Sequence, residues 1–360
     1  MSYTTERVKD FNNIKKSVSH LKVSSAQNSL AILGDSLEII KSIPSNSISL
    51  ILTDPPYHST KKKNITGDTD FNSDKEFIDW IGSYAEEWHR ILRPNGSIYM
   101  FCSSQMSSHL EVMLSQKFNI LSNIVWTKPN EPGFDGWKQK MKKDSLRQWY
   151  PHSERIIFAA PAIEGNLHRS YFANFLREQR KISGLSGHQL TELTGAYGKI
   201  NHGGAVSNWE TGRNIPSREQ YNKIIDALLN TGKIKLMPYY EDVIRAFSVN
   251  EHIEFTDIWN FPSVRSYQGK HPAEKPLEML EHIIQSSTFN DDIVLDCFAG
   301  SGSTAIASLK LNRKTIAIEL EESHFLNITK RIKYFHDQED QFCMKESIKL
   351  QNECSLFQTA

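Results

Sequence analysis

Four consecutive residues, Asp54-Pro55-Pro56-Tyr57, combine groups whose chemistry fits together. Asp54 can accept hydrogen bonds from an amino group. Pro55 and Pro56 fix the backbone and offer carbonyls with no competing N–H. Tyr57 presents a flat face on which a base can stack. The set suits an exocyclic amine on a planar ring. The run before it, Ile48-Ser49-Leu50-Ile51-Leu52-Thr53, is apolar and reads as a buried strand. The tetrapeptide therefore sits just past a strand's carboxyl end, the edge where open α/β sheets bind ligands. A Pro-Pro turn that only ends a strand fits the same four residues.

A second constellation lies far downstream. Asp296 ends an apolar strand, and Phe298-Ala299-Gly300-Ser301-Gly302-Ser303-Thr304 follows as a tight turn opening a helix. Gly300 and Gly302 allow positive φ and close approach of backbone to a ligand. The N–H groups at the helix start favour an anion. Glu319 closes the next strand, 23 residues after Asp296, where an acidic side chain can hold ribose hydroxyls. The third glycine of the dinucleotide fingerprint is missing, and no Gly-Lys-Ser/Thr follows. The anion can therefore be a carboxylate rather than a pyrophosphate. S-adenosylmethionine, with its ribose, adenine and methionine carboxylate, fits. A glycine turn packing a helix on a sheet is the competing reading, and Glu319 tilts the balance toward a ligand.

Strands alternating with helices must position both constellations. The first block, about residues 30–103, predicts a helix over Leu37–Ile43, the strand before Asp54, a helix from Phe77 to Leu92, a turn at Arg93-Pro94-Asn95-Gly96 and a strand over Ser97–Phe101. The second, 118–160, predicts strands at Ile120–Trp126 and Arg155–Ala160. The third, 258–334, predicts a helix over Leu277–Ser287, strands Ile293–Asp296 and Thr315–Glu319, and helices over Ala305–Leu311 and His324–Tyr334. This pattern implies a largely parallel sheet covered on both faces. Between the second and third blocks the strands vanish. Helical patterns at Tyr171–Lys181, Ser186–Thr194, Gly204–Glu210 and Arg218–Leu229 suggest a small all-helical insert. Residues 165–235 hold ten Lys/Arg against five Asp/Glu, a net of +5 in a chain whose formal charge is zero.

At 360 residues, with 39% hydrophobic and 23% charged residues, the composition is that of a soluble globular protein. No apolar run approaches the length of a membrane span, and the polar start lacks a secretory signal. The four cysteines are scattered, which argues for a reducing, cytoplasmic interior and against a disulfide framework or a metal site.

Together, Asp54-Pro55-Pro56-Tyr57 and Phe298-Ala299-Gly300-Ser301-Gly302 resemble the amino-group DNA methyltransferases, and their order resembles the β class of that family. Gly34-Asp35, Arg93–Ser97, Ile124–Lys128, His152-Ser153-Glu154 and His271-Pro272-Ala273-Glu274-Lys275-Pro276 match further family motifs. The resemblance covers roughly residues 30–160 and 255–335. It implies a Rossmann-like S-adenosylmethionine-dependent sheet with circularly permuted motif order. It further implies methyl transfer to an exocyclic amine of a base flipped from double-stranded DNA. Asp-Pro-Pro-Tyr is commonest in adenine N6 enzymes, whereas cytosine N4 enzymes more often carry serine at the first position. Asp54, Pro55, Pro56 and Tyr57 would be catalytic. Asp35 would meet the cofactor adenine. His271, Lys275 and Pro276 would cover its methionine end, and Asp296, the turn residues to Thr304 and Glu319 would complete its site. A homodimer and a cognate restriction endonuclease are the protein partners this resemblance raises.

The insert resembles a Cro/repressor-type helix-turn-helix domain through Leu176–Arg180, Gly184-Leu185-Ser186, Leu190–Leu193, Ala205–Arg213 and Pro216. In that family the helix at Val206–Glu210 enters the major groove. Asn201, His202, Ser207 and Asn208 would then face bases or phosphates, and Arg213 the backbone; Val206 and Trp209 read as core. A dimerisation module is the other reading of the insert. Lys61, Lys62 and Lys63 suit phosphates or a solvated face, and Trp149 either a wedge at the flipped base or, preferably, core packing. The domain plan is then 1–165 catalytic half, 166–235 insert, 236–335 cofactor half and 336–360 polar tail. Rival readings are a cytosine N4 methylase, a methylase acting on RNA or protein, and a helix-turn-helix regulator whose methylase half is dead.

Overall fold

Short runs rich in Ile, Leu and Val, broken by Gly and Pro, become strands. The structure is a computed structural model that describes residues 3–58, 71–129, 147, 149, 152–162, 170–196, 204–249, 255–265, 271 and 273–338. Among these residues the strands are β1 (Lys22–Ala26), β2 (Ser29–Leu33), β3 (Ile48–Thr53), β4 (Leu92–Ser103), β5 (Phe118–Thr127), β6 (Ser153–Pro161), β7 (Ile258–Asn260), β8 (Ile293–Asp296) and β9 (Lys314–Glu319). They form one sheet in the order β1-β2-β9-β8-β3-β4-β6-β5-β7.

The strands β2, β9, β8, β3 and β4 run parallel to one another. Every residue of β3, β8 and β9 is buried, as expected where helices cover both faces. The sheet is more mixed than its sequence suggests. β6 runs antiparallel to both β4 and β5, and β1 antiparallel to β2. An apolar run carries no sign of its own direction.

Helices with an apolar stripe cover the two faces. Asp74–Ile91 buries Phe77, Ile81, Tyr84, Ala85, Trp88 and Ile91, and Ser73 caps it by accepting from the Glu76 N–H. Leu277–Ser287 buries Met279, Leu280, Ile283 and Ile284 on the other face, in a cluster with Trp126, Phe158 and Trp259. A last helix spans 322–338.

The expected turn at Arg93–Gly96 lies inside β4 instead. The register against β3 jumps from Ile48↔Leu92 to Leu50↔Ser97, so these residues bulge out of the ladder rather than end it. Gly96 is required there, since a Cβ would sit 2.9 Å from the Ser49 carbonyl oxygen. Asn95 Nδ2 donates to the carbonyls of Glu241 and Ile244 at 2.8 and 3.0 Å.

The polar start, expected only to lack a signal, forms the helix Tyr3–Ser17. Its Arg7, 1% exposed, donates from Nε to Asp292 Oδ1 at 3.0 Å and from Nη2 to Asp242 Oδ1 at 2.8 Å. That single side chain ties the first helix to the approach to β8 and to the segment after the helical region.

The helical region, Tyr171–Ser183, Gly187–Thr194, Gly204–Glu210 and Arg218–Leu229, surrounds a core of its own. Phe172, Leu176, Leu190, Val206, Trp209 and Tyr221 lie within it. Ser186 with Gln189 and Ser217 with Gln220 form capping boxes, and Gly184 and Gly195 end the first two helices in the left-handed conformation.

Candidate active site at the carboxyl edge of the sheet

The parallel strands line up the acidic residues singled out by the sequence. Leu33 pairs with Glu319 and Asp296 with Ala317, while the pairings Leu50↔Val294 and Ile51↔Leu295 set β3 against β8. Asp35, Glu319, Asp296 and Asp54 therefore follow or end the neighbouring strands β2, β9, β8 and β3 in a row. Three inter-strand steps of about 4.8 Å spread them over about 14 Å, along the edge where such sheets take ligands.

Asp54 is largely shielded from solvent and paired. Its Oδ2 accepts from Lys275 Nζ at 2.6 Å. Its Oδ1 is buried without a hydrogen bond of good geometry, and the Tyr57 hydroxyl is close enough to stabilise the ionised carboxyl. Glu154 completes the cluster. Its Oε2 accepts from Tyr57 Oη at 2.9 Å and lies 3.5 Å from Lys275 Nζ, while Lys128 Nζ pairs with its Oε1. The Lys275 ammonium also lies over the rings of Phe101, Tyr57 and Trp126, at 5.0, 5.3 and 5.9 Å from their centroids.

Burial and charge sort the two carboxyls. Burial pushes Glu154 up, but Lys275 and Lys128 outweigh it and hold the pKa below the usual value. Burial, with Glu154's charge, outweighs Lys275 and the Tyr57 hydroxyl at Asp54, so its pKa lies above the usual carboxylate range. Burial opposes charge on Lys275, yet the facing Asp54 and Glu154 carboxylates hold it protonated.

The glycine turn is built as a cradle. Gly300 (φ +47°) and Gly302 (φ +76°) both lie in the left-handed region, and Gly302 precedes the helix Ser303–Lys310. A Cβ at Gly300 would stand 3.0 Å from the His271 ring, so the segment ending in Pro276 does lie against this turn. Glu319 Oε2 accepts from Gly300 N at 2.8 Å and Oε1 from Glu321 N at 2.8 Å. Both oxygens are thus aimed, and each keeps a lone pair for a hydroxyl. Asp296 Oδ1 accepts from Phe298 N at 3.1 Å; burial, offset in part by Thr304 and the Phe298 N–H, raises its pKa to about 7. Phe298 packs on Tyr84 and Trp80, with centroids 5.2 and 5.7 Å apart, and Ala299 is buried. Ser301 Oγ and Ser303 Oγ are 2.9 Å apart, and Ser303 donates to Glu274. A Gly-rich turn at a helix start, beside a fixed carboxylate, fits a ribose with an anionic arm.

Three sequence expectations gain detail here. Lys275, assigned to the cofactor's methionine end, makes its contacts with Asp54 and Glu154. Asp35 Oδ1 caps the helix Ser36–Lys41 by accepting from Leu37 N at 2.8 Å, leaving Oδ2 for other partners. Trp149 is 96% exposed, against the expected core packing. Glu154 and Lys128 belong to motifs noted in the sequence, yet were not among the expected site residues. Their signal was a charge at the end of an apolar strand, and the pairing Trp126↔Glu154 is what brings them together. In the helical region Ser207 and Asn208 are half-buried and Arg213 exposed. Lys61, Lys62, Lys63, Asn201, His202 and Pro272 lie outside the described residues.

A family model for DNA methylases, the N6_N4_Mtase family, matches residues 48–331. The chain belongs to this family. The methylase is 26% identical over 296 residues to the DNA adenine methyltransferase YhdJ of Escherichia coli K12, covering 81% of this chain and 79% of that protein. It is 27% identical over 316 residues to the type II methyltransferase M2.MboI of Moraxella bovis, covering 83% and 85%. Solved structures it is similar to include the cytosine-N4-specific PvuII DNA methyltransferase, at 17% identity and TM-score 0.49 over 87% of this chain and 93% of that one. Another is the M1.HpyAVI–SAM complex, at 21% and 0.48 over 84% and 98%.

Proposed function

We propose that this DNA methyltransferase transfers a methyl group to the N6 amine of an adenine flipped out of duplex DNA. The methyl donor is S-adenosylmethionine. When bound, it supplies a sulfonium-activated methyl group, so no metal is required of the protein. The observation that carries the reading is Asp54 Oδ2, a shielded carboxylate oxygen at the end of β3 already engaged by an N–H donor at 2.6 Å.

An exocyclic amine is a poor nucleophile because its lone pair is delocalised into the ring. Accepting hydrogen bonds from its two N–H groups at Asp54 and the Pro55 carbonyl localises that lone pair on nitrogen, which bonds to the methyl carbon as the carbon–sulfur bond breaks and a neutral thioether leaves. Fixed acceptors act where positive charge develops, which is the usual source of such acceleration. The proton then leaves toward Asp54. Tyr57, held by its hydrogen bond to Glu154, provides a stacking face worth ~1–3 kcal/mol against the few kcal/mol of flipping. The aspartate, where cytosine N4 enzymes more often have serine, supports adenine.

The remaining assignments rest on the resemblance. Chain order places β3 before β8, which supports a circularly permuted motif order. The helices 171–229 act as a helix-turn-helix target reader, with Ser207, Asn208, Asn201 and His202 as contacts for bases or phosphates and Arg213 and Lys61–Lys63 for phosphates. The +5 balance of residues 165–235 supports this. The names of relatives such as M2.MboI support a role beside a restriction endonuclease.

Expression in a methylase-free bacterium, followed by single-molecule sequencing, tests the reading. N6-methyladenine at one recurrent sequence is expected. N4-methylcytosine alone would overturn the choice of base, and an unmodified genome the activity.

A further inference from the structure

Lys275 occupies the acceptor that a target amine needs. Its Nζ lies 2.6 Å from Asp54 Oδ2 and 3.5 Å from Glu154 Oε2, so one ammonium has two carboxylates within reach. The second is independently fixed, with Tyr57 Oη donating to Oε2 at 2.9 Å and Lys128 paired with Oε1. Building on the adenine N6 reading, we infer that Lys275 is the counter-ion Asp54 exchanges for the target amine, with Glu154 keeping it paired after the exchange.

The reasoning is electrostatic. A carboxylate as shielded as Asp54 is costly without a partner, and before a base arrives Lys275 supplies one. During transfer positive charge builds on the target nitrogen. An ammonium still on the same oxygen would oppose that charge. Glu154 gives it somewhere to go without exposing a bare buried cation, and the Tyr57, Phe101 and Trp126 rings suit a cation along the way. Lys275 and Glu154 are thus positioning residues that act through Asp54.

The groups facing Asp54 set the expected pH behaviour. They are Tyr57 on its own loop, Lys275 from the turn before helix Leu277–Ser287, Glu154 from β6, Cys102 from β4 and Asp296 from β8, with Lys128 behind Glu154. Lys275 favours the ionised Asp54 and Glu154 disfavours it. Removing them must therefore move the acidic limb of the rate profile in opposite directions.

The test measures methyl incorporation from labelled S-adenosylmethionine into unmethylated genomic DNA across a pH series from acidic to alkaline. Cofactor affinity is measured by calorimetry and folding by circular dichroism. Lys275→Met should raise the acidic limb by about 1–3 pH units with cofactor affinity within about threefold, and Lys275→Arg should restore the parent limb. Glu154→Gln should lower the limb while also lowering the plateau kcat. An unmoved limb in Lys275→Met overturns the exchange, and a fall in its cofactor affinity instead makes Lys275 a cofactor ligand. If Lys275→Met does not fold, Glu154→Gln decides alone: a limb that stays or rises overturns the proposal. A parent chain that incorporates no methyl group would sink the methylation reading itself, whereas an active parent with unmoved limbs sinks only the exchange.

Discussion

At Gly300 the backbone conformation and the packing around it both disfavour a side chain. Its φ of +47° is one that side chains rarely adopt, and the His271 ring closes the space above it. Gly300→Ala is expected to lower stability by about 1–2 kcal/mol from the left-handed backbone alone, read by urea denaturation, and to weaken cofactor binding in calorimetry. Unchanged values for both would show that the turn tolerates a side chain and is no cradle. The pair Gly300 and Gly302 was legible in the sequence because glycine spacing is local information. The partner of Lys275 was not. The family resemblance placed that lysine with the cofactor, whereas its contact with Asp54 spans 221 positions of chain and exists only once β3 and the 273–276 turn share an edge.

At the level of elements, the β8–turn–β9 unit and the His271 segment packed against its turn bury two titratable groups with opposite consequences. Asp296 rises through burial to about 7, so the folded state holds a proton that the unfolded state has released from about pH 4 upward. Its contribution is full below that point and is lost as pH rises through 7. His271 falls through burial, with a further push from His324, to about 4. Its contribution is absent at low pH and is gained as pH rises toward 6.5. Relative to the parent, Asp296→Asn should therefore gain stability as pH increases from 4.5 to 7.5, roughly the span between the two ionisations. Urea midpoints at several pH values measure the difference, and a difference that stays flat or shrinks contradicts the buried carboxyl. Most elements here were readable from period and caps: Leu277–Ser287, Gly204–Glu210 and Arg218–Leu229 lie where the apolar spacing puts them. The bulge at Arg93–Gly96 was not, because Pro-Asn-Gly signals a turn in any context and only the ladder with β3 turns it into a detour. Nor was helix Tyr3–Ser17, whose polar sequence is held by Arg7 and a few apolar anchors, Phe11 and Ile14 among them.

For the whole molecule, the sheet order brings residues from both ends of the sequence to one edge. Asp35 and Asp54 come from the first sixth of the chain, and Asp296 and Glu319 from the last fifth. Arg7 braces this arrangement from below by joining the first helix, the approach to β8 and the segment after the helical region. The family was legible from motifs, and the sheet's mixed direction on the β5–β6 side was not. The central claim is that Asp54 activates an adenine amine on DNA. It is tested most directly by incubating unmethylated genomic DNA with labelled S-adenosylmethionine and either the parent chain or Asp54→Ala, then analysing the nucleosides by mass spectrometry. The account predicts N6-methyladenine from the parent and a loss of at least about a hundredfold in the variant, comparable to removing one fixed transition-state partner, with cofactor affinity retained. N6-methyladenine formed equally well by Asp54→Ala, or never formed by the parent, would contradict it.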